Sequence, residues 1–106
     1  MKPQAGRSDA VRLDLNNPVF QRQLFALEKA QQLSVLATLR KLSGMTWQQV
    51  YQDQGLKWEI LYSRLGPHGG RLYSLRISKG FRATAYRDED WRRLLSLHAE
   101  HDSAYR

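Results

Sequence analysis

The chain has 106 residues, 42% of them hydrophobic, which is enough for one domain with a modest core and too few for two. It has no cysteine, which excludes disulfides and thiolate zinc sites and fits a reducing cytoplasm, and no run of about 18 apolar residues that could span a membrane. Its formal net charge of +7 favours a polyanionic or acidic partner.

The N-terminal segment predicts a tail and a short strand. Residues 1–9 are polar, with Pro3 and Gly6, and we expect a flexible tail before a single domain over residues 10–106. The tail has no apolar segment, so it does not predict a secretory signal. Ala10 to Leu15 alternates apolar and polar residues, which indicates a strand.

Two helices are predicted next. Asn17-Pro18 is a helix start, because Asn caps free backbone N–H groups and Pro tolerates the first helical position. An apolar stripe at helical spacing runs to about Ala30 and continues from Ser34 to Leu42, ending at Ser43-Gly44. The stripe fits one helix of about 26 residues or two helices that break between positions 31 and 34, and average helix lengths favour two.

A third helix and a strand precede a glycine-rich loop. Thr46 and Gln49 match a capping box, which predicts a short helix to about Asp53. Leu56 to Tyr62 alternates and predicts a strand. The loop over 65–70 is rich in turn-forming residues.

The stretch from Leu72 to Tyr86 predicts a hairpin that turns around Ser78, Lys79 and Gly80. Alternation places Tyr73, Leu75, Ile77, Phe81, Ala83 and Ala85 on the core face. A last strand is predicted over Trp91 to His98, with Leu95 and Leu97 inward.

These elements predict an α+β fold, in which two N-terminal helices pack on one face of an antiparallel sheet of four to five strands. The other face is left open. It would carry Arg76, Arg82, Tyr86 and His98, with Ser96 beside them, as a basic groove.

Basic residues concentrate in the second half of the chain. Between positions 57 and 87 only Glu59 is acidic, and the cations are Lys57, Arg64, Arg71, Arg76, Lys79, Arg82 and Arg87. Such clustering is typical of a surface that binds a polyanion, although runs of charge are commonly solvated faces without a ligand.

The residue order resembles the RelE/ParE superfamily of toxin–antitoxin toxins, including its HigB-like members. The resemblance covers roughly residues 10 to 105. It is sharpest in Leu75 to Tyr86, LRISKGFRATAY, and in Leu94 to His98 followed by Asp102 to Tyr105. It implies a RelE/ParE-like fold and a toxin that cuts messenger RNA, usually on the ribosome, without metal or cofactor.

The resemblance also implies a set of site residues. Arg82 matches the family arginine that follows the Gly-aromatic pair, and Arg76 matches the arginine of its Leu-Arg pair. His98, His101 and Tyr105 lie near the family's C-terminal His, Arg and Tyr residues and are candidates for proton transfer. The candidates for RNA contacts are Lys57, Arg64, Arg71, Lys79 and Arg87. Glu59 is a possible base, and the alternative is that it pairs with Lys57 or an arginine.

Two alternatives stay open. Many ribonuclease members carry lysines where this chain has Leu72 and Ser74, which leaves room for a ParE-like gyrase inhibitor or a non-catalytic basic binding module. The expected partners are an acidic antitoxin, messenger RNA and the ribosome, with no membrane, and the expected state is a monomer or a toxin–antitoxin hetero-oligomer. Three histidines and no cysteine do not predict a metal site.

Overall fold

The computed structural model describes residues 10–66 and 69–99, except for the side chains of Ser63 and Arg64. The predicted tail and the end of the predicted domain, residues 100–106, lie outside this range. The helices are α1 (Pro18–Ala26), α2 (Lys29–Ser43) and α3 (Trp47–Gln52). The strands are β1 (Arg12–Asp14), β2 (Glu59–Leu65), β3 (Arg71–Ser78), β4 (Phe81–Asp88) and β5 (Trp91–His98).

One sheet of five strands, in the order β1-β5-β4-β3-β2, forms the second layer of the fold. The predicted α+β architecture is confirmed, but the sheet is mixed: β2 to β5 are antiparallel, whereas β1 runs parallel to β5. The reason is the connection, since three helices carry the chain across one face from β1 at one edge to β2 at the other. None of these helices is long and apolar enough to cross a membrane.

The core lies between the helices and the sheet. The helices contribute Phe20, Val35, Leu39 and Leu42, and the sheet contributes Leu75, Phe81, Ala83, Ala85, Leu94 and Leu97, all buried. Because these residues occupy one face of the sheet, the other face is free to carry polar side chains.

The helix break comes earlier than predicted, at Leu27 and Glu28 and not between positions 31 and 34. Both residues have extended backbone, and the Gln32 side chain donates a hydrogen bond to the Leu24 carbonyl at the end of α1 (3.0 Å). A polar residue in the gap of the predicted stripe therefore caps α1 from α2, an interaction that hydrophobic spacing cannot reveal.

The predicted N-caps are confirmed. The Asn17 side chain accepts from the backbone N–H groups of Val19 and Phe20. Thr46 and Gln49 form a reciprocal capping box, with Gln49 N–H donating to Thr46 Oγ1 (3.2 Å) and Thr46 N–H donating to Gln49 Oε1 (2.9 Å). These side chains satisfy backbone donors that the helices leave free.

β2 begins later than predicted, at Glu59 and not at Leu56. The Leu56 N–H donates to the Asp53 side chain (2.9 Å), and Lys57 has a φ of +48°, so the two residues form a turn. Leu56 is nonetheless only 2% exposed, because the turn inserts it into the core.

A β-bulge in β5 changes which of its residues face inward. Thr84 pairs with Ser96 but Ala85 pairs with Leu94, so Leu95 is the extra residue. The prediction that Leu95 faces the core is therefore wrong: Leu94 is buried there with Leu97, and Arg92 is buried too. The bulge turns Arg92 toward the helices and Arg93 toward the open face.

Candidate nucleic-acid interface

Three predicted site residues form one row across the open face. Arg76 on β3 is paired with Arg82 on β4, and Arg82 is paired with His98 on β5. Side chains directly opposite each other on neighbouring strands have Cβ atoms about 5 Å apart. The two guanidinium groups and the imidazole, all half-buried, are thus held on rigid strands within reach of one phosphodiester. We call these residues the basic row.

A row of hydroxyl groups lies beside the basic row. Ser74, Thr84 and Ser96 are paired across the same three strands, and Ser74 and Thr84 are 4% and 2% exposed. Thr84 and Ser96 share a hydrogen bond, and Ser96 Oγ lies 2.9 Å from His98 Nε2. A chain of hydrogen bonds therefore runs from Thr84 through Ser96 to His98 and orients the imidazole.

Two predicted RNA contacts lie at the same end of the sheet. Lys79 is exposed in the β3–β4 turn, where Gly80 adopts the positive φ (+74°) that the turn needs. Lys57 is exposed, and its neighbour Leu56 accepts a hydrogen bond from the Arg76 N–H (2.6 Å). The turn before β2 and the hairpin tip thus add two cations near the basic row.

The remaining predicted residues lie elsewhere. Arg87 is on the helix side, with its guanidinium carbon 4.1 Å from the centre of the Trp47 ring, and alternation along β3 places Arg71 on that side as well. These two arginines do not share a face with the basic row. The side chain of Arg64, and all of His101 and Tyr105, lie outside the described residues.

Glu59 lies on the open face, opposite Ser74. The carboxylate is exposed and has no ion pair among the residues that the structure describes, so the alternative that it pairs with Lys57 or an arginine is not observed. It extends the hydroxyl row by one strand and is the nearest acid to it in the strand register.

The other end of the open face is electrostatically compensated. Arg93 forms ion pairs with Asp14 and with Asp88 (3.0 Å), and Arg12 approaches Asp90 (3.9 Å). The hydrogen bond from the Asn16 N–H lowers the pKa of Asp14, and Arg93 lowers it further, whereas burial raises it. Acids thus balance bases around β1, and positive potential is left at the end with the basic row.

A metal does not fit the described part of the chain. Within residues 10–66 and 69–99, no three His, Asp or Glu side chains come close enough to hold an ion. The chemistry available at the basic row is that of fixed cations and one imidazole.

Sequence reasoning missed one buried cation. Arg92 is 0% exposed between the sheet and α3, with its guanidinium carbon 3.7 Å from the centre of the Trp58 ring and 4.8 Å from that of Trp47. Tyr73 stacks on the Trp58 ring, with the two ring centres 4.3 Å apart. Only the bulge in β5 places Arg92 there, and no sequence pattern marks the bulge.

Comparison with known proteins identifies the fold. No protein-family model and no curated protein matches the chain. Among solved structures, a chain of the archaeal RelE–RelB complex from Pyrococcus horikoshii OT3 is similar, with a TM-score of 0.60 and 16% sequence identity, over 87% of this chain and 96% of that one. At this identity the likeness concerns the path of the backbone. The chain therefore has the fold of a RelE-like toxin.

Proposed function

We propose that the chain is the toxin of a toxin–antitoxin pair and acts as a metal-independent endoribonuclease on messenger RNA, with the ribosome presenting the RNA. The observation that carries this proposal is the basic row, in which Arg76, Arg82 and His98 lie side by side on three strands. Two fixed cations beside one imidazole, which can take up or release a proton, are what phosphodiester cleavage by a neighbouring hydroxyl requires.

The proposed reaction uses the RNA's own 2′-hydroxyl. Its oxygen loses a proton and attacks the adjacent phosphorus, and the bond from phosphorus to the 5′-oxygen breaks as that oxygen gains a proton. The products are a 2′,3′-cyclic phosphate and a 5′-hydroxyl. Arg76 and Arg82 would stabilise the extra negative charge on the phosphorane, because their charge is fixed before it develops.

His98 is the proposed proton-transfer residue. The tautomer of the His98 ring decides whether Nε2 donates to Ser96 Oγ or accepts from it. This choice is coupled to which hydroxyl donates in the hydrogen bond between Thr84 and Ser96. His101 and Tyr105 remain candidates for the second proton transfer, and Glu59, on the same face, is a candidate base. Lys57 and Lys79, at the same end of the sheet, would hold the RNA backbone next to the row.

An acidic antitoxin is the proposed partner, in the cytoplasm. The similar solved chain comes from a RelE–RelB complex, and this chain's charge of +7 suits an acidic polypeptide. The outer surface of α1 and α2 also carries large exposed apolar side chains, with Phe25 73%, Leu33 56% and Leu36 53% exposed. Apolar exposure of this kind beside Lys29 and Arg40 fits an acidic amphipathic segment that folds on binding. Failure of any acidic neighbouring gene product to co-purify at low salt would contradict this partner.

The test is induced expression in a bacterial host without the antitoxin, with the 5′ ends of messages mapped by primer extension. Arg82→Ala is the test variant, and Arg40→Ala, which removes an exposed arginine of α2, is the charge-matched control. We expect new 5′ ends with the wild type and the control and none with Arg82→Ala. Growth arrest with intact messages would refute the ribonuclease and leave a toxin with another target.

One observation favours the second candidate, a ParE-like gyrase inhibitor or a non-catalytic binding module. Leu72 and Ser74 are 6% and 4% exposed, so β3 offers no cation where many related ribonucleases have lysines. If the chain is a ribonuclease, Arg82→Ala together with His98→Ala should abolish cleavage yet leave much of its salt-dependent binding; under the alternative, the wild type itself leaves messages intact.

A further inference from the structure

Among the described residues, no acceptor forms a hydrogen bond with any of the three side-chain nitrogens of Arg92, although the residue is completely buried. The indole nitrogens of Trp47 and Trp58, whose rings contact the guanidinium, are also buried and have no acceptor within residues 10–66 and 69–99. Buried donors nearly always have a partner, either in the protein or in a bound water or ion. Five donor nitrogens on three touching side chains therefore indicate a missing acceptor.

The cluster also lacks negative charge. Arg87 adds a second positive charge. Its guanidinium carbon lies 4.1 Å from the centre of the Trp47 ring, which Arg92 also contacts. Among the described residues, no carboxylate forms an ion pair with either arginine. Burial, assisted by Arg87 and opposed by Tyr51, lowers the Arg92 pKa to about 9, so the side chain is still a cation at neutral pH.

The aromatic contacts offset only part of this cost. A desolvated cation is stabilised by the face of an aromatic ring, but this gain is smaller than the cost of burying an ion without a partner. Water can satisfy N–H groups but supplies no counter-charge. The acceptor should therefore be an anion. Because Arg92 has no exposed surface, only a small anion can bind there.

We propose that Arg92, Trp47 and Trp58 form a binding site for a small monovalent anion of the halide class, such as chloride. A halide accepts several N–H donors without a preferred direction, and guanidinium and indole N–H groups are both donors only. This site lies on the opposite side of the sheet from the basic row, so it does not depend on the proposed ribonuclease activity.

The test uses the full chain and bromide as the probe, because bromide quenches tryptophan fluorescence on contact. The chain has three tryptophans, and a Trp91→Phe background leaves only the two of the site. Bromide is titrated against gluconate at constant total salt. We expect saturable quenching that chloride competes away, and loss of the saturable part in Arg92→Met but not in Arg40→Met, which removes one exposed positive charge.

A second variant guards against failure of Arg92→Met to fold. Trp47→Phe keeps an aromatic ring beside Arg92 but removes one donor, and we expect about tenfold weaker competition by chloride. Linear quenching, equal in all variants, would overturn the proposal, as would a crystal grown in bromide that shows only water or a carboxylate of the chain at Arg92. An anomalous bromide peak within hydrogen-bond distance of Arg92 would establish the site.

Discussion

The β5 bulge predicts opposite consequences for two neighbouring leucines. Leu94 is 1% exposed and packs in the core, whereas Leu95 is half-buried and lies outside it. Truncating a buried leucine to alanine removes apolar contacts and leaves a cavity, so Leu94→Ala should lower the free energy of unfolding by about 3 kcal/mol. Leu95→Ala loses only part of the burial of one side chain, and we expect about 1 kcal/mol.

The assay is equilibrium unfolding in guanidinium chloride, followed by circular dichroism. An unchanged dependence on denaturant would show that the two variants expose the same surface on unfolding, so that their midpoints report stability. Simple alternation from Leu97 predicts the reverse order, with Leu95 in the core. A larger loss for Leu95→Ala than for Leu94→Ala would refute the bulge, and with it the burial of Arg92.

Three further predictions concern a cap, an acid and a positioning residue. Thr46→Ala should destabilise the chain by about 1 kcal/mol through loss of the α3 cap, measured by thermal unfolding against exposed Gln48→Ala as the control. The pKa of Asp14 is below its ordinary value of 3.8, so the stability that Asp14 contributes is present above pH 3.8 and is lost as the pH falls through the folded-state pKa. Asp14→Asn should therefore flatten the fall in the free energy of unfolding at acid pH. An unchanged dependence of that free energy on pH would contradict this prediction. Ser96→Ala should reduce RNA cleavage by about tenfold, because His98 loses an orienting hydrogen bond, and should shift the pH profile of cleavage; a lower rate with an unmoved profile would argue against a positioning role.

Local sequence chemistry was sufficient for much of the fold. The cap at Asn17, the capping box at Thr46 and the turn at Gly80 depend on residues within three positions of each other, and all three are observed. Two of the differences in helix and strand bounds come from contacts between elements. The Gln32 side chain, which belongs to α2, donates a hydrogen bond to the Leu24 carbonyl at the end of α1. Leu56 is buried in the core, and this packing keeps a turn where alternation predicted a strand.

The candidate site was predictable in part. Strand alternation placed Arg76, Arg82 and His98 on one face, and the register confirms that they lie side by side. Alternation from Phe81 through Ala85 also puts Arg87 on the helix side, where it contacts Trp47, but alternation could not reveal that Arg92 is buried, because that follows from the bulge. The roles of these residues in RNA cleavage remain proposals.

Analysis of RNA product ends is the most direct test of the proposed reaction. Purified chain is mixed with ribosomes programmed with a defined message, and the termini of any fragments are identified for the wild type, Arg82→Ala and Arg40→Ala. We expect 2′,3′-cyclic phosphate and 5′-hydroxyl ends with the wild type and Arg40→Ala, and intact message with Arg82→Ala. Fragments with 5′-phosphate ends, or equal cleavage by Arg82→Ala, would contradict the assignment of the basic row as the catalytic site.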